Sequence, residues 1–253
     1  MKKIHKSLGI FLILSVLLIP SFAPAEIDVY EIVDRVDKLY RSDTSHGDME
    51  MTIVSENWTR TLEMQVWSEG MDRTFIYITS PKKDAGIATL RIKTEMWNYF
   101  PKINKVMKVP PSMMMSSWMG SDFTNDDLVK ESSMTRDYHL QLITPENPNP
   151  DNFYIELTPK EDIPIVWAKI ILAVRKDDYT PVTEEYFDEK GRKMRLMEFR
   201  EVKKFGERSI PSVLEMWSLG KEGRKTVIRY RDIKFDIALK PDVFTLRNLQ
   251  RKR

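Results

Sequence analysis

MEMTI (Met49–Ile53), LEMQV (Leu62–Val66) and FIY (Phe75–Tyr77) follow one another within thirty residues, and in each the bulky apolar side chains return at every second position. Successive side chains of a strand point to opposite faces, so a period of two marks strands with one face turned to a core. Turn-prone residues bound each run: Glu56-Asn57, Ser68-Glu69-Gly70 and Pro81-Lys82-Lys83-Asp84. Three alternating runs joined by short turns predict an antiparallel meander.

The same reading extends along the chain. ATLRIK (Ala88–Lys93), MWNYF (Met96–Phe100) and KINKVMKV (Lys102–Val109) continue the sheet on one side of a methionine-rich segment. Beyond it come Tyr138–Ile143, Phe153–Thr158, Ala168–Val174, Val182–Asp188, Met194–Phe199, Ser212–Ser218 and Thr226–Ile237, with Glu189-Lys190-Gly191 as a hairpin turn. Ahead of the sheet, Val29, Ile32, Val33, Val36, Leu39 and Tyr40 form one stripe at helical spacing, with Asp28 as N-cap and Glu31, Asp34, Arg35 and Lys38 on the solvated side. The closing KPDVFTLRNLQRKR reads as a short helix or capping tail. About eleven antiparallel strands with a helix in front predict a mainly β fold: a curved sheet forming a half-open β-barrel, with helices covering its concave face.

Lys2, Lys3 and Lys6 followed by the apolar run Leu8–Ile19, a break at Pro20-Ser21 and the small-x-small Ala23-Pro24-Ala25 have the order of a cleavable export signal. The expected division is residues 1–25 as signal peptide and 26–253 as a single domain in the periplasm. Without cysteine the chain has no disulfide, no thiol chemistry and no lipid-modified N-terminal cysteine. Removing the signal leaves 37 basic against 38 acidic residues, so the basic isoelectric point belongs to the signal and no nucleic-acid partner is expected.

Catalytic constellations are missing from the pattern. His5 departs with the signal, and His46 and His139 stand far apart with no metal-ligand spacing around them. There is no phosphate-binding glycine loop and no nucleophile elbow. Asp126-Asp127 and Asp177-Asp178 are adjacent pairs, better explained by helix capping or solvated turns than by shared chemistry. No enzyme, cofactor or metal is expected.

The segment PPSMMMSSWMGSDFTNDDL (Pro110–Leu128) is the counterexample to ordinary loop composition. Pro110-Pro111 stops the preceding strand, Ser112 is a candidate cap for a short helix, Gly120 ends it, and Thr124 with Asp127 has the spacing of a second helix start. Methionine is flexible and polarizable, which suits a lid over apolar partners of variable shape as well as it suits a core plug.

The export signal, the front helix, Trp97-Asn98-Tyr99-Phe100-Pro101, the stretch from Gly120 to Leu128 and Pro241-Asp242-Val243-Phe244-Thr245 together resemble the LolA-like outer-membrane lipoprotein-sorting proteins, in their longer branch. The resemblance implies a periplasmic, monomeric half-barrel that takes acyl chains of a lipoprotein or lipid into an apolar cavity. It implies as partners an inner-membrane transporter of ABC or RND type and an outer-membrane acceptor. Met114, Met115, Trp118, Met119 and Phe123 are then the lid residues, and Met51, Met64, Phe75, Tyr77, Trp97 and Tyr99 the sheet side of the cavity. A module sensing mislocalised lipoproteins in envelope-stress signalling is the alternative reading of the same fold.

Overall fold

The computed structural model describes residues 28–129, 133–163, 165–220 and 223–251; the expected signal peptide lies outside them. One antiparallel sheet contains β1 (Thr44–Ser55), β2 (Trp58–Glu69), β3 (Arg73–Ser80), β4 (Ala88–Ile92), β5 (Glu95–Phe100), β6 (Lys105–Lys108), β7 (Tyr138–Ile143), β8 (Asn152–Pro159), β9 (Lys169–Arg175), β10 (Pro181–Phe187), β11 (Lys193–Phe205), β12 (Arg208–Ser218) and β13 (Lys225–Phe235). The helices are α1 (Val29–Lys38), α2 (Asn125–Val129), α3 (Met134–Asp137) and α4 (Leu246–Leu249). The sheet is curved and open, with helices on its concave face, and has thirteen strands rather than about eleven. Each of the thirteen runs read from the sequence is a strand, β4, β5 and β6 being only 5, 6 and 4 residues long, so the figure of about eleven undercounts those runs.

The spatial order is β6-β5-β4-β3-β2-β1-β13-β12-β11-β10-β9-β8-β7. The chain therefore starts in the middle at β1, steps outward to the edge strand β6, crosses to the opposite edge at β7, and steps back until β13 pairs with β1. Gly47 sits in that central pairing beside a register shift at Asp48/Met49. A Cβ there would lie 2.8 Å from the Asp232 carbonyl oxygen, so only glycine lets β13 approach.

Residues directly opposite on paired strands share a face. One such row runs Ile53, Thr226, Met216, Met197, Glu184, Leu172, Ile155 across seven strands of the concave face. Two large apolar clusters and a smaller one, Phe205, Ile210 and Ile233 with Leu39 and Tyr40, cover this face. Ile32, Val33 and Val36 of α1 pack on Tyr138, Ile155, Leu157, Ile170, Leu172 and Val174. At the other end, Met51, Ile53, Leu62, Met64, Ile76, Ile78 and Met96 surround Trp118. Asp28 caps α1 through its Oδ1, which accepts from the Tyr30 amide at 2.9 Å, and the expected solvated face carries the Arg35–Glu31 and Lys38–Asp34 pairs, both 2.6 Å.

The convex face is also buried over β2 to β6. There Phe75, Ala88, Leu90 and Tyr99 meet Val243 and Leu249 from the C-terminal tail, with Trp67, Tyr77, Trp97 and Phe244 around them. Thr245 caps α4, its hydroxyl accepting from the Asn248 amide at 3.2 Å, and the Asn248 side chain donates to the Val243 carbonyl at 2.7 Å. The terminal Pro-Asp-Val-Phe-Thr motif thus fastens a cover over the second face.

Leu249 is almost wholly enclosed in that cover. Leu249→Ala is expected to lower stability by about 2–4 kcal/mol, read as a shift in the urea midpoint; an unchanged midpoint would mean that the tail does not hold the convex face.

Candidate functional site

Residues 109–129, in the crossing from β6 to β7, lie over the concave face as a strap, whose conformation follows from its breakers. Pro110-Pro111 and Ser116-Ser117 interrupt the methionines, so the helix expected after Ser112 is only a single 3-10 turn, Pro111–Met113. The strap then folds back on itself: the Trp118 amide donates to the Phe123 carbonyl (2.8 Å), the Asn125 amide to Ser116 (3.0 Å) and the Asp126 amide to Met114 (2.8 Å). At the tip of this loop Met119 and Gly120 both have positive φ, 52° and 79°. The second helix start is as expected. The Thr124 amide donates to Asp127 Oδ2 at 2.7 Å and the Asp127 amide to the Thr124 hydroxyl at 3.0 Å, a reciprocal capping box opening α2.

The strap is held at two places by different forces. Trp118, 4% exposed, sinks into the apolar cluster of β1 to β5, and its indole Nε1 donates to the Thr89 hydroxyl at 3.2 Å. Asp122, with its side chain 1% exposed, is the polar anchor. Its carboxylate accepts from the Ser218 hydroxyl (2.7 Å), the Thr226 hydroxyl (2.7 Å) and Arg224 Nε (2.8 Å), while Arg224 Nη2 also donates to the Gly120 carbonyl at 2.9 Å. Three donors from β12, β13 and the turn between them therefore converge on one strap carboxylate.

Between this anchor and α1 a cavity of about 220 Å³ remains. Its walls are Phe123, Asp126 and Asp127 of the strap and α2, Met134 and Tyr138, the loop residues Ile165 to Trp167, and Ile170, Glu184, Tyr186, Arg195, Met197 and Met216 of the sheet. Three methionines from separate elements make an apolar, deformable wall. Arg195 ties the walls together: it pairs with Asp127 at 3.0 Å and lies 5.1 Å over the Trp167 ring. Glu184 is 6% exposed, and the Tyr186 hydroxyl donates to its Oε2. Burial raises the Glu184 carboxyl from 4.5 to about 7, opposed by the Tyr186 hydrogen bond and helped by the charge of Asp37 on α1. Burial and the adjacent Glu184 likewise push the Tyr186 phenol well above its ordinary range.

Of the residues read from sequence as a binding surface, Met51, Met64, Met114, Trp118 and Met119 do meet, in one cluster. Met115 is 51% exposed and takes no part in it. Phe123 alone of the set lines the cavity. Phe75, Tyr77, Trp97 and Tyr99 lie on the convex face under the C-terminal tail, not beside Met51 and Met64. The cause is register: Met64 faces Ile78 and Val66 faces Ile76, which sends Phe75 and Tyr77 to the other side. Because β3 is apolar on both faces, its sequence carries no parity that separates them. The cavity residues Glu184, Tyr186, Arg195, Met197 and Met216 were not singled out by the sequence. The spacing of two between Glu184 and Tyr186, and again between Arg195 and Met197, was the available signal for a shared face.

Asp122→Ala leaves one buried and two half-buried donors without their acceptor and is expected to cost about 3–5 kcal/mol. In hydrogen exchange the amides of residues 118–127 should lose protection while β8 and β9 keep theirs; equal protection in both proteins would show that Asp122 does not hold the strap. Glu184 gives a pH signature. Between pH 4.5 and about 7 the unfolded chain releases a proton that the folded one retains, so this group makes stability fall as pH rises through that window. Glu184→Leu should therefore gain little over the native protein at pH 5 and most at pH 8, by roughly 3 kcal/mol, measured by urea unfolding at both pH values.

None of the curated proteins matches the chain in sequence. Among solved structures it is similar to a DUF1329 family protein from Desulfovibrio piger ATCC 29098, with 23% identity, 87% of this chain and 97% of that chain covered, and a TM-score of 0.77. It is similar as well to a domain described as an outer membrane lipoprotein-sorting protein from Vibrio parahaemolyticus, with 22% identity, coverage of 88% and 98%, and a TM-score of 0.74. A LolA superfamily protein from Nitrosomonas europaea shares 22% identity, coverage of 88% and 100%, and a TM-score of 0.72. At these identities the likeness is one of fold. A family model described as "Uncharacterized protein" matches residues 70–251. The chain belongs to the family of that model, and its fold is that of the LolA-like lipoprotein-sorting proteins.

Proposed function

We propose that the protein is a periplasmic carrier that shelters an apolar chain, from a lipoprotein or a lipid, between the concave face and the strap. The observation that carries this reading is the methionine-walled cavity of about 220 Å³ lying directly beneath a segment that is tied down at separate points. The Vibrio parahaemolyticus relative's description as a lipoprotein-sorting domain supports it. The carrier works without covalent chemistry: it hides from water a chain whose exposure costs about 0.8 kcal/mol per CH₂, and gives it up to a site that competes.

Cleavage after Ala25 exports the chain, and residues 26–253 act as one unit. It receives cargo from an inner-membrane transporter of ABC or RND type and passes it towards an outer-membrane acceptor. The cavity is smaller than the ~300–1,000 Å³ usual for ligand sites, so a long chain enters only when the strap lifts. Trp118 and its neighbours then leave the sheet and expose the second apolar cluster as an extension of the site.

A fluorescent diacyl lipopeptide should bind the purified protein, and Met216→Trp, which fills the cavity from the sheet side, should weaken binding at least tenfold with the melting temperature little changed. Native mass spectrometry of the gently purified protein should show bound lipid mass. Unaltered lipopeptide binding by Met216→Trp would place the site elsewhere; an empty protein that ignores the lipopeptide would defeat the carrier reading.

A further inference from the structure

Glu184 is a carboxyl for which the fold has no use. It stands in the middle of the concave-face row, between Met197 and Leu172, where every other strand but β13 contributes an apolar side chain. Among the described residues Tyr186 is its one hydrogen-bond partner, although a carboxylate has about four acceptor positions. A buried charge so thinly satisfied is a burden that an apolar residue of similar size would relieve. Glu184 belongs to the wall of an open cavity rather than to a packed core.

Among the described residues Asp127 and Glu184 line the cavity together with one cation, Arg195, and Asp126, which has a partner of its own, lines it too. That guanidinium is already engaged by Asp127 and stacked over Trp167. From α1, Asp37 adds to the negative field at Glu184, and its own bridge is to Arg41 at 2.7 Å. The remaining titratable neighbours, Tyr186, Tyr138 and Tyr40, are phenols. Among the described residues no lysine or histidine lines the cavity.

From this arrangement we infer that the cavity selects amphiphiles whose polar end is a protonated amine, seated against the Glu184 carboxylate with the apolar chain laid over Met197, Met216 and Ile170. An ammonium supplies donors to Glu184 and offsets its charge, whereas a carboxylate or phosphate at the same place would meet the like charge of Glu184 in a poorly solvated site. Cavities that combine an apolar wall, a few convergent polar groups and a displaced titration are where ligand recognition concentrates. This inference rests on the carrier reading and narrows its cargo.

The test compares octylamine, octanol and octanoate, chains short enough to enter the cavity with the strap in place, by isothermal titration at pH 7.5 against the whole protein. Octylamine should bind at least tenfold more tightly than octanoate, with octanol between them. Glu184→Gln, which keeps the shape and removes the charge, should cost octylamine at least tenfold and leave octanol within threefold. Glu184→Leu, which the packing should accept without loss of stability, should abolish the order altogether. Octanoate binding as tightly as octylamine, or octylamine binding unchanged in both variants, overturns the inference while the lipopeptide result still stands for the carrier. If all three short amphiphiles and the lipopeptide fail to bind, the inference and the carrier reading fall together.

Discussion

Pairing of the first strand with the last, in the middle of the sheet, is the constraint on which the other features depend. With β1 and β13 hydrogen-bonded side by side, the two meanders must grow outward in opposite directions. The chain is then obliged to pass from one edge to the other across a face. Gly47 makes that pairing possible, because any Cβ at this position would collide with the Asp232 carbonyl. The strap is therefore a topological consequence: a sheet of this order has a cover on its concave face whether or not it has a ligand. What the sequence of the strap decides is how firmly the cover sits.

The two attachments of the strap answer differently to disturbance. The Asp122 anchor is directional, with three donors at 2.7–2.8 Å, and has few intermediate states between made and broken. The Trp118 end is held by dispersion and burial among Met51, Met64, Met96 and Met114, a set of side chains with many rotamers of similar energy. Displacement of Trp118 can be gradual and can be repacked around a guest, whereas displacement of Asp122 cannot. The apolar end is thus the end that yields, and the anchor by β12 and β13 is the pivot about which it would move.

Sequence periodicity revealed the fold wherever one face of a strand is polar. Met49, Met51 and Ile53 alternate with Glu50 and Thr52, and those strands and faces are where the pattern puts them. The helical stripe of α1 and its Asp28 cap were equally plain, because an amphipathic helix on a surface obeys only its own period. The reading failed where both faces are covered. In β3 and β5 the aromatic residues Phe75, Tyr77, Trp97 and Tyr99 seemed the natural lining of a cavity, but the cover of the convex face is α4, more than 140 residues further along the chain. No local pattern announces a distant cover. The cavity itself was hidden for a related reason: Glu184, Arg195 and Met216 come together only through cross-strand register, and polar members of a strand read from sequence as solvated.

Plug and gate, which the methionine segment seemed to pose as alternatives, become two states of one balance. Each large apolar side chain withdrawn from the cluster loses about 1.5–3 kcal/mol of burial, and each methylene of a guest gains about 0.8. Two to four methylenes therefore offset one plug residue. Trp118, Met114 and Met119 together resist short chains, which can occupy only the space already open beside Glu184 and Met197. A long acyl chain exceeds that threshold by a few methylenes per plug residue, and only this small excess holds it. On the carrier reading the same three side chains set the minimum length of cargo and, by returning to the sheet, drive its release.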